Sequence, residues 1–356
     1  MRSTYNENRY INVLCTFTAG ALSDGKTMNS ENILLSDWHP VATAAHLKEN
    51  ALVSVVLPDE PLLIWRSDDT LCAWRDSCVH RGTKLSLGKV VDGDCVQCPY
   101  HGWIYNSHGR CVHIPTMPDH KPSKRAQLKT YSVQEKYGWI WVCLGQPKDD
   151  VAEFPDWDKT EFRKLFCGPY QVNTSGPRVI ENFLDVAHFP YVHENILGTQ
   201  AETAIADYEV ITGRKGVKAS NVQVYQPDPY GTGQGDTVAY TYLAPRPLTA
   251  HLLKESEGPQ FSILLAVTPH TETECTAFMW MTMNYGHDIP EKELVEWQDS
   301  IFAQDKPIVE SQQPKRLPLD PKAELSMRSD KTAVSYRRWL AKLGMTYSVE
   351  PPNPAL

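Results

Sequence analysis

Between Trp38 and Cys143 the apolar residues fall in short runs, some alternating with polar residues and some continuous. Turn-forming residues separate these runs, in the stretches PDE, DD, DGD and NSHG. Short runs bounded by such residues are typical of β-strands. The pattern therefore predicts a small all-β module of meander type, with strands in ALVSVVL, LLIWRS, TLCAWRD, VQCPYHGWIY and YGWIWVCLG.

The pattern changes beyond a polar, proline-containing segment over 148–170, which we interpret as a connection between domains. Residues 179–193, VIENFLDVAHFPYVH, have a helical rhythm in which Asn182, Asp185 and His188 follow at intervals of three. Strand-like runs return from 203 to 286, in VQVYQ, TVAYTYLA, QFSILLAVT and CTAFMWMTMNY.

A long helix is predicted over 289–313, with a proline near its first turn. Pro307 is expected to kink this helix. A buried stripe is predicted along it, formed by Leu294, Trp297, Ile301, Phe302, Ile308 and Val309. YRRWLAKLG predicts another short helix, and no internal repeat is present.

The second half is therefore predicted to be one α+β domain, with a large antiparallel sheet and flanking helices. We place an N-terminal extension at 1–35, the all-β domain at 36–147 and the second domain at 148–356.

The composition is that of a soluble globular protein of about two domains, with 356 residues, 41% of them hydrophobic and 22% charged. A formal net charge of −8 argues against nucleic acid or an anionic membrane as partner, because both attract clustered Lys and Arg. No apolar run reaches the length of a membrane span. Nine cysteines without small-scaffold spacing favour a reducing compartment, and the N-terminus is a poor signal peptide. A cytoplasmic location is expected.

Cysteine and histidine alternate in one stretch of the all-β region. Cys78 and His80 are separated by one residue, and seventeen residues later Cys98 and His101 are separated by two. A mixed iron–sulfur cluster needs two thiolates for one iron and two imidazoles for the other, so two loops that each supply one of both could hold it. Glycines follow each pair, which lets the backbone turn tightly.

Two other interpretations of this stretch compete with the cluster. Structural zinc sites group thiolates with thiolates, and the alternating order fits them poorly. The residues could also be unrelated core cysteines and surface histidines, as we expect of the cysteines at 72, 95, 111 and 143.

The spacing C-x-H, seventeen residues, C-x-x-H, with HRG after the first pair and HGW after the second, resembles the Rieske [2Fe–2S] signature. The resemblance implies that Cys78 and Cys98 bind one iron and that His80 and His101 bind the other. A Rieske electron-transfer protein alone would need only about a hundred residues, and some two hundred follow here.

We expect those two hundred residues to form a second metal site. His188 and His193 lie five residues apart with Phe-Pro between them, so a helix that ends there would let both rings converge. Two imidazoles and one carboxylate are the ligands of non-haem Fe(II) oxygenases. Our candidate for the third ligand is Asp305, with Asp299 and Glu310 as alternatives. From composition alone, Asp305 is more often a solvated acid on a helix face.

The motif Asn182-x-x-Asp185-x-x-His188-x4-His193 resembles the mononuclear-iron motif of Rieske non-haem iron oxygenases, and the Gln-Asp context of Asp305 resembles their late carboxylate ligand. The resemblance covers the chain from about residue 36 to its end and implies a helix-grip catalytic domain after the Rieske domain. It implies that His188, His193 and Asp305 bind iron and that Asn182 lies near it without binding.

The same resemblance gives Asp185 a role between subunits. It implies that Asp185 bridges His188 to the Rieske histidine His101 of a neighbouring subunit, so that a homotrimer is expected. From the residues alone, Asp185 is equally well an i,i+3 partner that orients His188.

Within that family the length resembles the homotrimeric oxygenases that monohydroxylate or demethylate, such as vanillate, dicamba and caffeine demethylases. Three stretches, KYGWIWVCLG, QQPKRLPL and RSDKTAVSYRRWL, resemble hydroxylases of saxitoxin-type alkaloid pathways and imply a polar, nitrogen-rich substrate. We expect a ferredoxin and/or flavin reductase to supply electrons, so that NAD(P)H takes part only indirectly. The alternatives are an aromatic-ring cis-dihydroxylating dioxygenase and a Rieske electron-transfer protein.

The substrate pocket is expected to form from strands around 220–286. FMWMTMNY, residues 278–285, is a candidate lining because it is rich in aromatic residues and methionine. An ordinary sheet core with a period of two explains the same residues at least as well.

Overall fold

The structure is a computed structural model that describes residues 33–47, 52–67, 70–256 and 258–352. The predicted extension at 1–35 lies outside the described residues except for its last three positions, which begin a short 3₁₀ turn at Ile33–Ser36. The chain divides between Val151 and Ala152 into two compact units. The domain ranges given above stay predictions.

Short antiparallel strands build the described part of the first unit, in three sheets with the orders β1-β10-β9, β2-β3-β4 and β5-β6-β7-β8. The strands are β1 His39–Thr43, β2 Leu52–Leu57, β3 Glu60–Ser67, β4 Thr70–Arg75, β5 Lys89–Val91, β6 Cys95–Gln97, β7 Ile104–Asn106, β8 Cys111–His113, β9 Ser132–Lys136 and β10 Trp139–Cys143. Two fully buried tryptophans, Trp65 and Trp74, meet edge to face in the core, with ring centroids 5.2 Å apart.

One predicted strand of this unit is wrong. VQCPYHGWIY is two strands, β6 and β7, joined by a loop that carries Cys98 and His101. Pro99 and Gly102 interrupt the strand, but they lie among aromatic residues that favour strands. The sequence pattern therefore did not indicate the turn.

The second unit contains one seven-stranded antiparallel sheet with the order β11-β17-β16-β15-β14-β13-β12. Its strands are β11 Arg163–Val172, β12 Glu209–Gly213, β13 Gly216–Gln226, β14 Asp236–Arg246, β15 Thr249–Glu255, β16 Phe261–Thr271 and β17 Glu274–Met283. The helices are α1 Gly176–Phe183, α2 Phe189–Val192, α3 Glu291–Ser311 and α4 Lys331–Lys342. A short parallel pair joins β18 Leu317–Pro318 to β19 Val349–Glu350, and a 3₁₀ turn spans Arg328–Asp330. The predicted α+β class with a large antiparallel sheet is confirmed.

The segment 148–170 is more than the connection that the sequence predicted. Its second half forms β11, which pairs with β17 at the edge of the sheet. The charged start of the strand and its Gly-Pro pair concealed the alternation of Leu165 and Cys167, which are both buried. Before β11, the Asp156 carboxylate accepts a hydrogen bond of 2.6 Å from Ser262 on β16, and Trp157 packs on Trp280 of β17.

Directly paired residues of neighbouring strands share a face of a sheet. The face opposite Asp156 is the one that bears Tyr240, and we call it the catalytic face. It is formed across β14 to β17 by Tyr240, Tyr242, Leu252, Lys254, Phe261, Ile263, Leu265, Met279, Met281 and Met283. The methionines of FMWMTMNY therefore lie on the catalytic face, whereas Phe278 and Trp280 lie on the other.

Helix α3 packs on β11, where Phe302 stacks on Tyr170 with ring centroids 3.9 Å apart. Its buried residues are Gln298, Ile301, Phe302 and Val309. The predicted stripe is confirmed at Ile301, Phe302 and Val309, whereas Leu294 is half-buried. It is wrong at two positions, since Trp297 is 39% exposed and Ile308 is 47% exposed. Gln298, which was not predicted, is buried in place of Trp297.

Candidate metal centres

The two cysteine–histidine loops of the first unit have the same backbone hydrogen bonds. In each loop the amide of the cysteine donates to the carbonyl five residues later, at 2.8 Å from both Cys78 and Cys98. The glycine four residues after the cysteine returns a bond to the cysteine carbonyl, 2.8 Å from Gly82 and 3.1 Å from Gly102. Both glycines have positive φ, +71° and +69°. Two equivalent loops therefore present one cysteine and one histidine each.

The two thiols and the two imidazole rings of these loops lie at different depths. The Cys78 and Cys98 thiols are buried in the core, while the rings of His80 and His101 lie nearer the surface with centroids 4.5 Å apart. The Nδ1 atom of His80 is buried and has no hydrogen-bond partner among the described residues. A buried imidazole nitrogen without a partner fits a metal ligand, because buried polar atoms are otherwise paired. The donor set, two thiols and two imidazoles, fits a two-iron cluster.

Two aromatic residues support these loops. Trp103 stacks on His80, with ring centroids 4.6 Å apart and planes within 6°. The Tyr105 hydroxyl lies 3.1 Å from Cys78 Sγ. Burial raises the pKa of Tyr105, so the phenol keeps its proton and can donate to a bound thiolate. Burial also raises the pKa of Cys98, so a bound cation is needed to hold this thiol as the thiolate.

The second candidate centre is built where α1 ends. The helix begins at Gly176, has Pro177 in its first turn and ends at Phe183, so Asn182 lies in its last turn and Asp185 follows it. His188 precedes the single turn of α2, and His193 follows that turn, with its amide donating to the Phe189 carbonyl at 3.0 Å. Helix α1 thus ends before both histidines, and only the single turn of α2 lies between them, so the helical rhythm predicted over 179–193 is interrupted after Phe183.

The structure brings His188, His193 and Asp305 together. One ligand atom from each lies within 4.8 Å of the other two. Asp305 Oδ1 is 3.3 Å from His188 Nε2 and 3.1 Å from His193 Nε2. Two imidazole nitrogens and a carboxylate oxygen that converge in this way fit a mononuclear iron.

The other nitrogen of each ring is held by a hydrogen bond. His188 Nδ1 lies 2.8 Å from Asp185 Oδ2, and His193 Nδ1 lies 2.8 Å from Gln304 Oε1. These acceptors place the proton on Nδ1, so both Nε2 lone pairs are directed toward Asp305. The orientation by Asp185 agrees with its predicted role as an i,i+3 partner. Gln304 was not predicted, and only its position beside Asp305 could have suggested it.

The electrostatics of this centre favour a bound cation. His193 is 1% exposed, and the side chains of His188 and Asp305 are each 15% exposed. Burial works against ionisation, yet positive charge on the two neighbouring imidazole rings outweighs it and lowers the pKa of Asp305 to about 2. In the same way, the carboxylates of Asp185 and Asp305 outweigh burial and raise the pKa of His188 to about 9. A positive charge is therefore stabilised among the three groups.

The alternatives to Asp305 are occupied elsewhere. Asp299 accepts a hydrogen bond of 2.7 Å from the Tyr170 hydroxyl, and Glu310 accepts one of 2.8 Å from the Asn173 amide. Asp305 is also not a solvated surface acid.

Asn182 lies beside this centre. Its Nδ2 atom donates to Asp305 Oδ1 at 3.3 Å, so Asn182 is bonded to a candidate ligand, and its place near the iron without ligation stays a prediction.

The catalytic face of the sheet adjoins this centre through one aromatic residue. The Phe189 ring lies 4.9 Å from the His188 ring and 5.9 Å from the His193 ring, measured between centroids. The same ring lies edge to face with Tyr240, at 6.4 Å. Phe189 therefore connects the three candidate ligands to this largely apolar face.

Comparison with known proteins identifies both halves of the chain. The Rieske [2Fe-2S] domain family matches residues 37–132, and the vanillate O-demethylase oxygenase C-terminal domain family matches residues 172–345. Methylxanthine N1-demethylase NdmA from Pseudomonas putida is 31% identical over 316 residues, 86% of this chain and 88% of that protein. Methylxanthine N3-demethylase NdmB from the same organism is 27% identical over 326 residues, 87% of this chain and 89% of that protein.

Solved structures agree with these matches. The structure of Pseudomonas putida NdmA with caffeine has a TM-score of 0.76 and 28% identity, covering 88% of this chain and 92% of that one. Dicamba monooxygenase bound to dicamba has a TM-score of 0.73 and 25% identity, covering 87% and 97% of the two chains. The oxidoreductase NdmD of Pseudomonas putida matches over 124 residues at 38% identity, which is 34% of this chain and 21% of that protein.

The chain belongs to the Rieske non-haem iron oxygenases. Within this class it is a terminal oxygenase component of the short monooxygenase and demethylase type. It is an oxidoreductase that uses a Rieske [2Fe–2S] cluster, a mononuclear iron and electrons from a reductase to hydroxylate or oxidatively demethylate a small organic substrate. The described residues include no helix that is long and apolar enough to cross a membrane.

Proposed function

We propose that the chain removes a methyl group oxidatively from a small, polar, nitrogen-rich heterocycle. The observation that carries the proposal is the convergence of His188, His193 and Asp305 beside the catalytic face. The relatives that span most of the chain support it, since they are named as demethylases of methylxanthines. We assign the mononuclear iron to these three side chains and the cluster to Cys78, His80, Cys98 and His101.

When bound, the cluster supplies single electrons and the iron activates O2. For an N-methyl substrate, the methyl carbon and one oxygen atom leave as formaldehyde, and the other oxygen atom leaves as water. Two electrons and two protons balance the reaction, and they come from the reductase and from solvent. NAD(P)H takes part only by reducing a ferredoxin and/or flavin reductase.

The residues of this chain hold and orient the reacting groups. Asp185 and Gln304 fix the ring orientations of His188 and His193 through the two Nδ1 hydrogen bonds. The apolar residues of the catalytic face exclude water from the reacting atoms. These roles require no movement of the catalytic side chains from their positions in the structure.

In our proposal Asp185 has a second role between subunits of a homotrimer. Its Oδ2 atom already lies 2.8 Å from His188 Nδ1, and its Oδ1 atom accepts a hydrogen bond of 3.0 Å from the Ala187 amide. The side chain is 30% exposed and each oxygen has a second lone pair, so the carboxylate can also accept from His101 of the partner subunit. Two hydrogen bonds to one carboxylate would link the cluster of one subunit to the iron of the next. We also propose a cytoplasmic location, supported by the eight described cysteines, none of which forms a disulfide.

The test is a substrate screen with the iron-loaded protein and a generic ferredoxin–reductase pair. N-methylated heterocycles such as caffeine are offered, and product mass and formaldehyde are measured. Loss of a methyl group with equimolar formaldehyde is the expected result. Asp305→Ala is the matched control and should give no product. Products that gain two oxygen atoms and retain the methyl group would contradict the proposal and favour dihydroxylation.

A further inference from the structure

Lys254 is a charged residue in an unexpected position. It lies in β15, is 5% exposed, and pairs directly with Tyr240 on one side and Phe261 on the other. Direct pairing puts all three side chains on the same face, which is the catalytic face. The adjacent position on this face along β15 is the buried Leu252. A buried ammonium therefore lies among aromatic and aliphatic neighbours.

The ammonium of Lys254 has few partners. It donates to the Pro229 carbonyl, and it lies 4.5 Å from the centre of the Tyr230 ring. Among the described residues, no carboxylate lies within ion-pair distance of it. Burial lowers the pKa of Lys254 to about 8, against the opposing charge of Asp228. An ammonium has three donors, so this side chain retains hydrogen-bonding capacity for a further acceptor.

A second donor stands beside it. The Tyr240 hydroxyl accepts a hydrogen bond of 2.9 Å from Gln226 Nε2, so its own proton is free to be donated. Burial raises the pKa of Tyr240, which keeps that proton in place. Tyr240 is also the residue that contacts Phe189 beside the candidate iron ligands. Both donors thus lie on the catalytic face, and one of them, Tyr240, contacts the aromatic residue that adjoins the candidate iron ligands.

We propose that Lys254 and Tyr240 form a substrate subsite that recognises an acceptor oxygen, a carboxylate or a ring carbonyl, on the part of the substrate remote from the oxidised carbon. The subsite repels cationic substrates, because a buried ammonium without a counter-charge is costly and a second cation would raise that cost. Cationic alkaloids, which the negative net charge of the protein would attract at long range, are thereby excluded at the pocket. This inference rests on the proposed function, since it takes the catalytic face as the wall of the substrate pocket.

Three probes that differ only in one group test the subsite. They are 4-methoxybenzoate, 4-methoxybenzamide and 4-methoxybenzylamine, which carry a carboxylate, a carbonyl and an ammonium on the same methyl ether. Their binding to the fully metal-loaded protein is measured by calorimetry without O2. We expect the carboxylate to bind most tightly, then the amide, and the ammonium to bind most weakly.

The variant Lys254→Met keeps the length of the side chain and removes its charge. The ratio of its affinities for the carboxylate and the ammonium probe should be at least about tenfold smaller than that of the wild type, since a hydrogen bond to a charged group contributes about 1.5 kcal/mol or more. The control Lys218→Met removes an exposed lysine of the same sheet and should leave the ranking unchanged. A purely structural role of Lys254 would change the thermal unfolding midpoint and leave the ranking as it is.

The outcomes separate this proposal from the proposed function. A wild-type protein that prefers the ammonium, binds none of the probes, or ranks them as Lys254→Met does would overturn the subsite. If the wild type demethylates a heterocycle and Lys254→Met discriminates as before, the function stands and the subsite fails. If the probes are ranked as expected but no methyl group is ever removed, the subsite stands and the demethylase proposal fails.

Discussion

The hydrogen bond between Tyr105 and Cys78 should set part of the reduction potential of the cluster. The two atoms are 3.1 Å apart in the core, and burial keeps the phenol protonated, so Tyr105 donates when Cys78 is a thiolate. A donor to a sulfur ligand stabilises the reduced cluster more than the oxidised one, because reduction adds a negative charge. The variant Tyr105→Phe removes only the hydroxyl.

The size of the effect follows from the strength of one such bond. A hydrogen bond to a charged group contributes roughly 1.5–3 kcal/mol. We take the bond to be stronger in the reduced cluster than in the oxidised one by a part of this energy, about 1 kcal/mol. A tenfold change in a one-electron equilibrium is about 1.4 kcal/mol or about 59 mV, so the expected fall in potential is roughly 40 mV.

The assay is a redox titration of the cluster followed by its visible circular dichroism. Tyr137→Phe, which removes a tyrosine hydroxyl elsewhere in the first unit, is the control and should leave the potential unchanged. If Tyr105→Phe has an intact cluster spectrum and the wild-type potential, Tyr105 does not donate to a cluster ligand and our reasoning about this loop is refuted.

Three further predictions concern the other charged and ligating residues. Asp185→Asn should retain both metals and lose turnover by about 10- to 100-fold, because an amide cannot accept from two imidazoles as a carboxylate does; undiminished turnover would refute the bridge. Cys78→Ser should lose most cluster absorbance while iron remains at His188 and His193, and loss of that iron as well would contradict two independent centres. The low pKa of Lys254, about 8 in the folded chain against an ordinary 10.5, means that the unfolded chain binds more protons between these values. The free energy of unfolding of the wild type should therefore rise by about 1–3 kcal/mol relative to that of Lys254→Met between pH 8 and 10.5. Denaturant unfolding at both pH values measures it. A difference that does not change with pH would show that Lys254 is not buried as an ammonium.

The sequence predicted most strands of both units because their apolar runs are short and bounded by turn residues. It missed β11, whose alternation is interrupted by charged residues and a Gly-Pro pair. It also assigned Trp297 and Ile308 to the buried face of α3, because large apolar residues are ordinarily core residues, although it identified Ile301, Phe302 and Val309 correctly. A face of a helix is set by what packs against it, in this case Tyr170 on β11, and that contact joins distant parts of the chain.

The candidate site also combines residues that are close in the chain with one that is far from them. Motif spacing grouped His188 with His193 and Cys78 with His80, because those residues are close in the chain. Asp305 is the first candidate already from the sequence, through its Gln-Asp context, but only the fold shows that its turn of α3 meets the histidines.

Lys254 could not have been predicted from the sequence. A lysine in the run HLLKE is ordinarily exposed, and only the pairing of β15 between two buried strands places it inside.

One chain should hold a cluster and a separate iron bound by His188, His193 and Asp305. Iron and labile sulfide are measured together in the wild type and in Asp305→Ala. We predict about three irons and about two sulfides per wild-type chain, and about two irons with unchanged sulfide and cluster spectrum in the variant. Equal iron in the two proteins, with turnover retained by Asp305→Ala, would contradict the account.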